Sequence, residues 1–327
     1  MSYQSLIPLI KKTGSSLSPE KFHERINIVF HDFEAAHYDE IHDDMRISLQ
    51  EQIDLLIHDL WTYKPVENTS IKLLDIGCGT GQSSQILLRS KLGNYINQIT
   101  LLDTSANMLK QAEMKAQKWS KDYKTVNGYI GDLDEKFDVI LISSVLHHIP
   151  DLEIFLKQVD RLLNSGGFLI HIQDPNGDYL NDPIYLQRKK EYAEFGSSHV
   201  NKWYLSDLLP SKWLRKIKII LNRKDYLDYI NDQLLAEKTI KRRMTPDEIW
   251  SVTDIHVETK KDKFNKGISL QFLKNQLQNF ELIKMRSYAF YGYLKSDLPL
   301  VYQEKESQLI AENMLNGRNI GAVWIKK

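Results

Sequence analysis

Residues 71–88 read IKLLDIGCGTGQSSQILL. A short apolar run leads into three glycines at alternate positions, Gly77, Gly79 and Gly81, and then into a segment of helical character. Strand, glycine turn and helix form the context that a nucleotide loop needs. Glycine serves such a loop because the backbone turns tightly and approaches a ligand with no Cβ in the way. A tight turn with no ligand has the same look, so the loop by itself is weak evidence.

The spacing is more informative. A dinucleotide fingerprint is G-x-G-x-x-G, which gives a pyrophosphate the helix N-terminus. Here the pattern is G-x-G-x-G, with Gln82 where the wider spacing has glycine. Asp75 lies in the strand just ahead of the loop. A carboxylate there repels a pyrophosphate, but it can orient the loop or hold an ammonium through water. A dinucleotide-dependent oxidoreductase is disfavoured on both counts. Cys78 sits between two glycines, where small size accounts for it and a nucleophilic role is not expected.

Outward from the loop, strand and helix patterns alternate. QITLLDTS reads as a second strand and SANMLKQAEMKAQKW as a second helix. KTVNGYIGD is a candidate third strand, and KFDVILISSV has the continuous apolar pattern of a buried parallel strand. PDLEIFLKQVDRLLNSGG is a helix with proline at its start and glycine at its end, and GFLIHIQD is a fifth strand. This alternation predicts an α/β fold with a doubly wound sheet. Before it, SPEKFHERINIVFHDFEAAHYDEIH and MRISLQEQIDLLIHDLW carry apolar residues at helical spacing. After it, residues 176–266 break the rhythm, and a helix, a strand, a helix and the strand NIGAVWIKK complete the core. The expected organisation is a helical cap over 1–70, a cofactor-binding core over 71–175, a helical lid insertion over 176–266 and a completion of the core over 267–327. Cap and lid are expected at the carboxyl ends of the strands, where open α/β sheets bind substrates.

These segments as a set resemble the class I S-adenosylmethionine-dependent methyltransferases, of the type that acts on small molecules, with a Rossmann-like core. LLDIGCGTG resembles the first motif of that family. Asp103 closes the second strand, 22 residues beyond Gly81, and the resemblance places it on the ribose hydroxyls, with Thr104 beside it. It places Met108 and Leu133 against the adenine, and Asp132, in GYIGDLDE, on the adenine amino group. Ser143 ends the fourth strand in FDVILISSVLHHIPD, and EAAHYDEI resembles a segment whose Tyr38 reaches over the methionine part. The implied cofactor set is thus Tyr38, Asp75, Gly77, Cys78, Gly79, Gly81, Asp103, Thr104, Met108, Asp132, Leu133 and Ser143. The implied donor is S-adenosylmethionine and the by-product S-adenosylhomocysteine. Three carboxylates then answer an ammonium, a diol and an exocyclic amine, and nothing in the set suits phosphates. The match spans roughly residues 25–175 and the end of the chain, so it leaves the acceptor open, including whether oxygen, nitrogen or carbon is methylated.

His147 and His148 follow the fourth strand, near where the methyl group would lie, and are the candidate catalytic residues. One of them can act as a general base. The plainer reading is a histidine that only shapes the pocket, and positioning alone can supply much of the rate.

Bulk properties narrow the rest. The 327 residues carry 43 basic and 43 acidic side chains, so no long-range pull toward nucleic acid or an anionic membrane is expected. One cysteine excludes an intrachain disulfide and a cysteine-cluster metal site, and fits a reducing compartment. No signal peptide and no run of about 18 apolar residues is seen, so a soluble, cytoplasmic protein is expected. The expected partner is a small-molecule acceptor, with no nucleic acid and no membrane, and with monomer and homodimer both open.

No metal-ligand set is assigned. In the insertion, Asp254, His256 and Glu258 alternate, so in a strand they share one face, which is expected to be solvated or hydrogen-bonded. Asp225, Asp228 and Asp232 fall on one helical face; a magnesium–diphosphate grip is conceivable there, and a solvated face is expected. The basic stretches WLRKIKIILNRK and KTIKRRM are read as lid surface, and His199, Trp203, Tyr204 and Trp213 as lid core or an aromatic substrate wall. A nucleic-acid methyltransferase is disfavoured because the fourth strand exits in Ser143-Ser144-Val145-Leu146 and no second cysteine exists as a nucleophile. A non-catalytic cofactor-binding subunit, or a cyclase that uses the sulfonium only electrostatically, is the alternative of a different class.

Overall fold

The apolar runs pair edge to edge into one seven-stranded sheet. The computed structural model describes residues 3–41, 43–65, 70–179, 182–199, 226–257 and 267–327. The opening helices are α1 (Ile7–Thr13), α2 (Pro19–Glu34), α3 (Tyr38–Ile41) and α4 (Asp43–Tyr63). Then come β1 (Ile71–Ile76), α5 (Gln82–Arg89), β2 (Ile96–Asp103), α6 (Ala106–Ala116), β3 (Asp122–Asn127), β4 (Phe137–Ser143), α7 (Leu152–Leu162) and β5 (Leu163–Pro175). The insertion supplies α8 (Pro183–His199), α9 (Tyr226–Ala236) and α10 (Pro246–Thr253). The chain continues through α11 (Leu270–Gln276), β6 (Phe280–Tyr288), α12 (Leu300–Ala311) and β7 (Asn319–Lys326).

Strand order is β3-β2-β1-β4-β5-β7-β6. The first five strands pair in parallel, while β7 lies antiparallel between β5 and β6. The chain winds outward from β1 to β3 and returns to β4 on the other side. The crevice between the β1 and β4 exits is therefore the topological switch point, where open sheets of this kind bind ligands.

Alternation along the strands builds two cores. Leu73, Val139, Leu141 and Ile170 pack under α4, α5, α6 and α12. Leu74, Ile140, Ile142 and Leu169 face the other way, toward α7 and α11. Strands buried on both faces read as unbroken apolar runs, which is why β1 and β4 stood out in the sequence.

A third cluster joins the N-terminal helices, the expected cap, to the insertion, the expected lid. Phe22, Ile26 and Phe30 of α2 pack with Tyr226 and Ile230 of α9 and with Ile249 of α10. Ser18 caps α2 by accepting from the Lys21 N–H, with Pro19 in the first turn, as the sequence predicts. Asp32 near the far end of α2 accepts from the Ser105 hydroxyl at the start of α6, which seats the cap beside the β2 exit. The last helix of residues 1–70 behaves differently. α4 lies on the sheet face, and its Asp59 forms a two-pronged bond with Arg286 of β6 at 2.5 and 2.9 Å.

Two candidate ligand faces of the insertion take other forms in the structure. The run from Asp254 is no strand: it leaves the end of α10 in a turn, so alternate residues do not share a face. Asp228 and Asp232 do not stand open for a metal–diphosphate, because Arg243 from KTIKRRM pairs with both. Asp225, Glu258, Trp203, Tyr204, Trp213, the His199 side chain and WLRKIKIILNRK lie outside the described residues.

Candidate active site

The loop after β1 is held open by its own strand partners. Gly77, Gly79 and Gly81 all take positive φ, at 64°, 52° and 78°. A Cβ on Gly77 would meet Val145 Cγ2 at 2.5 Å, whereas one on Gly79 would meet nothing within 4 Å. Gly77 is thus needed for packing, and Gly79 borders open space suited to a ligand. The Gly79 N–H donates to Asp103 Oδ2 at 2.8 Å, and the Ser105 N–H donates to Asp103 Oδ1 at 2.8 Å. Asp103 therefore ties the glycine loop to the β2 exit. Burial raises its pKa, and the backbone N–H groups act against that.

Asp75 is fully buried and accepts from the Ser83 and Ser84 hydroxyls at 2.8 and 2.6 Å. It fastens the first turn of α5 to β1. Burial pushes it up to about 6, against those two bonds, and its Oδ1 makes no hydrogen bond. Burial also pushes the Cys78 thiol well above its ordinary value, which leaves it protonated and unreactive.

Asp132 turns back on its own loop, where it accepts from the Tyr129 N–H at 2.7 Å. The Thr104 carbonyl accepts from Asn127 Nδ2 at 2.9 Å. Met108 is buried at the start of α6, and Leu133 packs in the core on the α7 face.

A cleft opens at the β1–β4 switch point, bordered by Tyr38, Gly77, Cys78, Thr80, Ser83 and Ser143. Four of these six are among the cofactor residues that the sequence implied. Burial, then Glu34, raises the Tyr38 phenol. Asp39 was not singled out from the sequence, yet it accepts from Thr80 at 2.6 Å and pairs with Lys115 at 2.5 Å. That link holds α3 over the glycine loop.

Past the Ser143–Ser144 exit of β4 lies a largely buried polar cluster. The His147 Nδ1–H donates to Asp174 Oδ1 at 2.9 Å, and the His147 backbone N–H reaches the same oxygen at 3.3 Å. A carboxylate that takes the Nδ1 proton leaves Nε2 with its lone pair. Burial pulls the His147 pKa down, but Asp174 and then Asp254 more than offset it, and the net direction is up. Asp254, at the end of α10, places Oδ1 3.7 Å from His147 Nε2. Its pKa rises to about 6 through burial, with His147 acting the other way.

His148 differs from its neighbour. Its Nδ1 bonds the Thr253 carbonyl at 2.6 Å, and burial, with His147 and His31 nearby, drives its pKa well below the ordinary value. His148 is a neutral imidazole facing α2, where the His31 ring meets it edge-on at 5.3 Å. His256 turns away and bonds the Ile149 carbonyl at 2.8 Å. Ser144 and Gln173, on adjacent strand exits, hold left-handed φ of 58° and 66°. Such strain in non-glycine residues gathers at functional sites.

Sequence reasoning missed Asp174, Glu34 and the position of Asp254. One signal for Asp174 was available, an acid at the carboxyl end of an otherwise apolar core strand. Glu34 had none beyond its place on the buried face of an amphipathic helix.

Residues 74–171 match the methyltransferase domain family. With the sheet order and the glycine loop, this defines a class I S-adenosylmethionine-dependent methyltransferase domain. Among curated relatives, the demethylmenaquinone methyltransferase of Staphylococcus carnosus is 28% identical over 166 residues, covering 49% of this chain and 66% of the relative. The ubiquinone biosynthesis O-methyltransferase of Pelagibacter ubique is 35% identical over 142 residues, covering 43% of this chain and 52% of the relative. The chain thus spans about two thirds of the first and about half of the second. A solved structure of the plantazolicin methyltransferase BpumL with S-adenosylhomocysteine is 16% identical, covers 94% of this chain and 97% of its own, and has a TM-score of 0.44. The methyltransferase in complex with Haloferax volcanii Trm112 is 13% identical, covers 90% of this chain and 97% of its own, with a TM-score of 0.45. Among the described residues no helix is long and apolar enough to cross a membrane.

The residues present fit the donor of this class. Open space above Gly79 and the lack of Lys and Arg among the residues that border the cleft suit a cationic nucleoside better than a phosphate.

Proposed function

We propose that this protein transfers a methyl group from S-adenosylmethionine to a small organic acceptor. The observation that carries the reading is the His147–Asp174 pair, set at the β4 and β5 exits on the same side of the sheet as the glycine-loop cleft. The donor supplies an activated methyl group. In this reading the glycine loop, Asp103 and Tyr38 hold it, with Ser143 at the mouth of β4. Met108, Asp132 and Leu133 would serve the adenine end.

In this reading the acceptor's nucleophilic group lies beside the cluster of His147, Asp174 and Asp254. His147 is the better base of the two histidines, because Asp174 fixes its Nδ1–H and stabilises the charge it gains. His148 is already bonded through Nδ1 and resists a proton, so its part is to shape the site around His147. Cap and lid cover this region and exclude water from it. The names of the curated relatives, which refer to menaquinone and ubiquinone pathways, favour a ring-bearing organic acceptor over nucleic acid or protein.

Calorimetry tests the donor: S-adenosylhomocysteine binds and NAD does not. Incubation with methyl-labelled S-adenosylmethionine and separate small-molecule, RNA and protein fractions tests the acceptor. Label in the small-molecule fraction is expected. Label confined to RNA or protein would overturn the acceptor class, and donor binding without transfer to any fraction would favour a non-catalytic subunit.

A further inference from the structure

The structure assigns to His147, His148 and Asp254 a binding site for a divalent transition metal, which we propose is zinc. One ring nitrogen of each histidine and one carboxylate oxygen of Asp254 lie within 4.8 Å of one another. His147 Nε2 and His148 Nδ1 stand 3.7 and 3.5 Å from the same Asp254 oxygen. Ligands about 2.0–2.2 Å from a tetrahedral ion stand roughly 3.3–3.6 Å apart, close to the separation of each histidine nitrogen from the Asp254 oxygen.

The surroundings support the same reading independently. Glu34 is buried beside Asp254, and its Oε1 makes no hydrogen bond. Asp174, also buried, leaves its Oδ2 unpartnered. Buried carboxylates need a counter-charge, and the basic groups beside Asp254 among the described residues are the two histidines, of which His148 stays neutral. A divalent cation answers this concentration of acid.

The donor set selects among metals. Two imidazoles and a carboxylate suit zinc, while magnesium prefers an all-oxygen set. Asp174 behind His147 is the carboxylate–histidine arrangement that orients a metal ligand. Ligation by His148 Nδ1 needs the tautomer protonated at Nε2, with the bond to Thr253 O given up.

Asp254 comes from the lid and the histidines from the β4 exit, so the ion clamps lid to core. It also occupies the Nε2 lone pair that His147 needs as a base. Metal binding and proton acceptance are then exclusive, and the ion holds the enzyme closed and inactive. Only this last consequence rests on the methyl-transfer reading.

The test uses the full chain, stripped by chelator and titrated with Zn²⁺ or Co²⁺ alone, with no donor or acceptor present. Elemental analysis is expected to find a single zinc per chain, and Co²⁺ to give the intense visible bands of a tetrahedral site. Asp174→Asn should weaken binding by about 10–100-fold, and Asp254→Asn and His148→Gln should weaken it further. His37→Gln, at an exposed histidine outside the cluster, should bind as the parent does. No retained zinc, or equal affinity in folded Asp254→Asn and His148→Gln, would overturn the site. Should those variants fail to fold, the parent's Co²⁺ spectrum decides, since weak octahedral bands also exclude it. Absence of methyl transfer by the metal-free chain, with zinc binding intact, would count against the functional reading alone.

Discussion

His147 and Asp174 meet through a 2.9 Å bond between side chains 27 residues apart. They come from the exits of adjacent parallel strands, so the sheet itself sets their distance. The bond assigns the imidazole a proton on Nδ1 and turns Nε2 toward Asp254.

Replacing Asp174 with Asn lets an amide N–H face the ring and favours the wrong tautomer. We expect kcat to fall by about 10²–10⁴-fold. Affinity for S-adenosylhomocysteine should hold within about twofold, because the cofactor loop does not use Asp174. Steady-state kinetics beside calorimetry checks this; a parallel loss of donor affinity would contradict it.

Gly77 and Gly79 should fail differently. Alanine at either takes on a left-handed conformation, at roughly 1–2 kcal/mol. At Gly77 the new methyl also collides with Val145, adding about 1–3 kcal/mol of overpacking. Gly77→Ala should therefore show the larger loss in denaturant unfolding. Gly79→Ala should fold with the smaller loss and still bind donor poorly, because its methyl enters the open space that the ligand needs.

Glu306 offers a test away from the site. It is buried, accepts from the Ala289 and Phe290 N–H groups, and burial pushes it from 4.5 up to about 7 despite those bonds. The folded chain holds this proton more tightly than the unfolded chain between those values. The Glu306 contribution therefore weakens as pH rises from about 4.5 to about 7 and is level above that. It amounts to something on the order of 3 kcal/mol, at about 1.4 kcal/mol per pH unit. In Glu306→Gln the melting temperature should depend less on pH across that window. An unchanged slope would contradict the assignment.

Arg243 pairs with Asp228 and Asp232 on a half-exposed face. Exposed pairs contribute little, so Arg243→Ala should cost less than about 1 kcal/mol. Donor binding should be unchanged. A collapse of transfer with intact folding would return this acidic face to the substrate site.

The fold was largely legible because its signals are local. β1 and β4 are apolar runs of strand length; glycine follows β1, and serine with proline opens α2. Each reports a backbone requirement within a few residues of itself. The insertion was less legible. Asp254, His256 and Glu258 alternate as in a strand, but Thr245, Pro246 and Glu248 start a helix whose end sets Asp254. That capping box outweighs the alternation, since it satisfies the helix N–H groups directly.

The sequence by itself determined a doubly wound α/β sheet and a glycine loop whose spacing and neighbouring acids suit a cationic nucleoside rather than a phosphate. Spacing and side-chain charge within short segments carry that information. Only the tertiary structure decided that Asp174 backs His147, that Glu34 and Asp254 join them, and that His148 and His256 turn to backbone carbonyls. Those partners arrive from separate strands, the cap and the lid. Their meeting depends on how whole elements pack, and no residue carries that in its own neighbourhood.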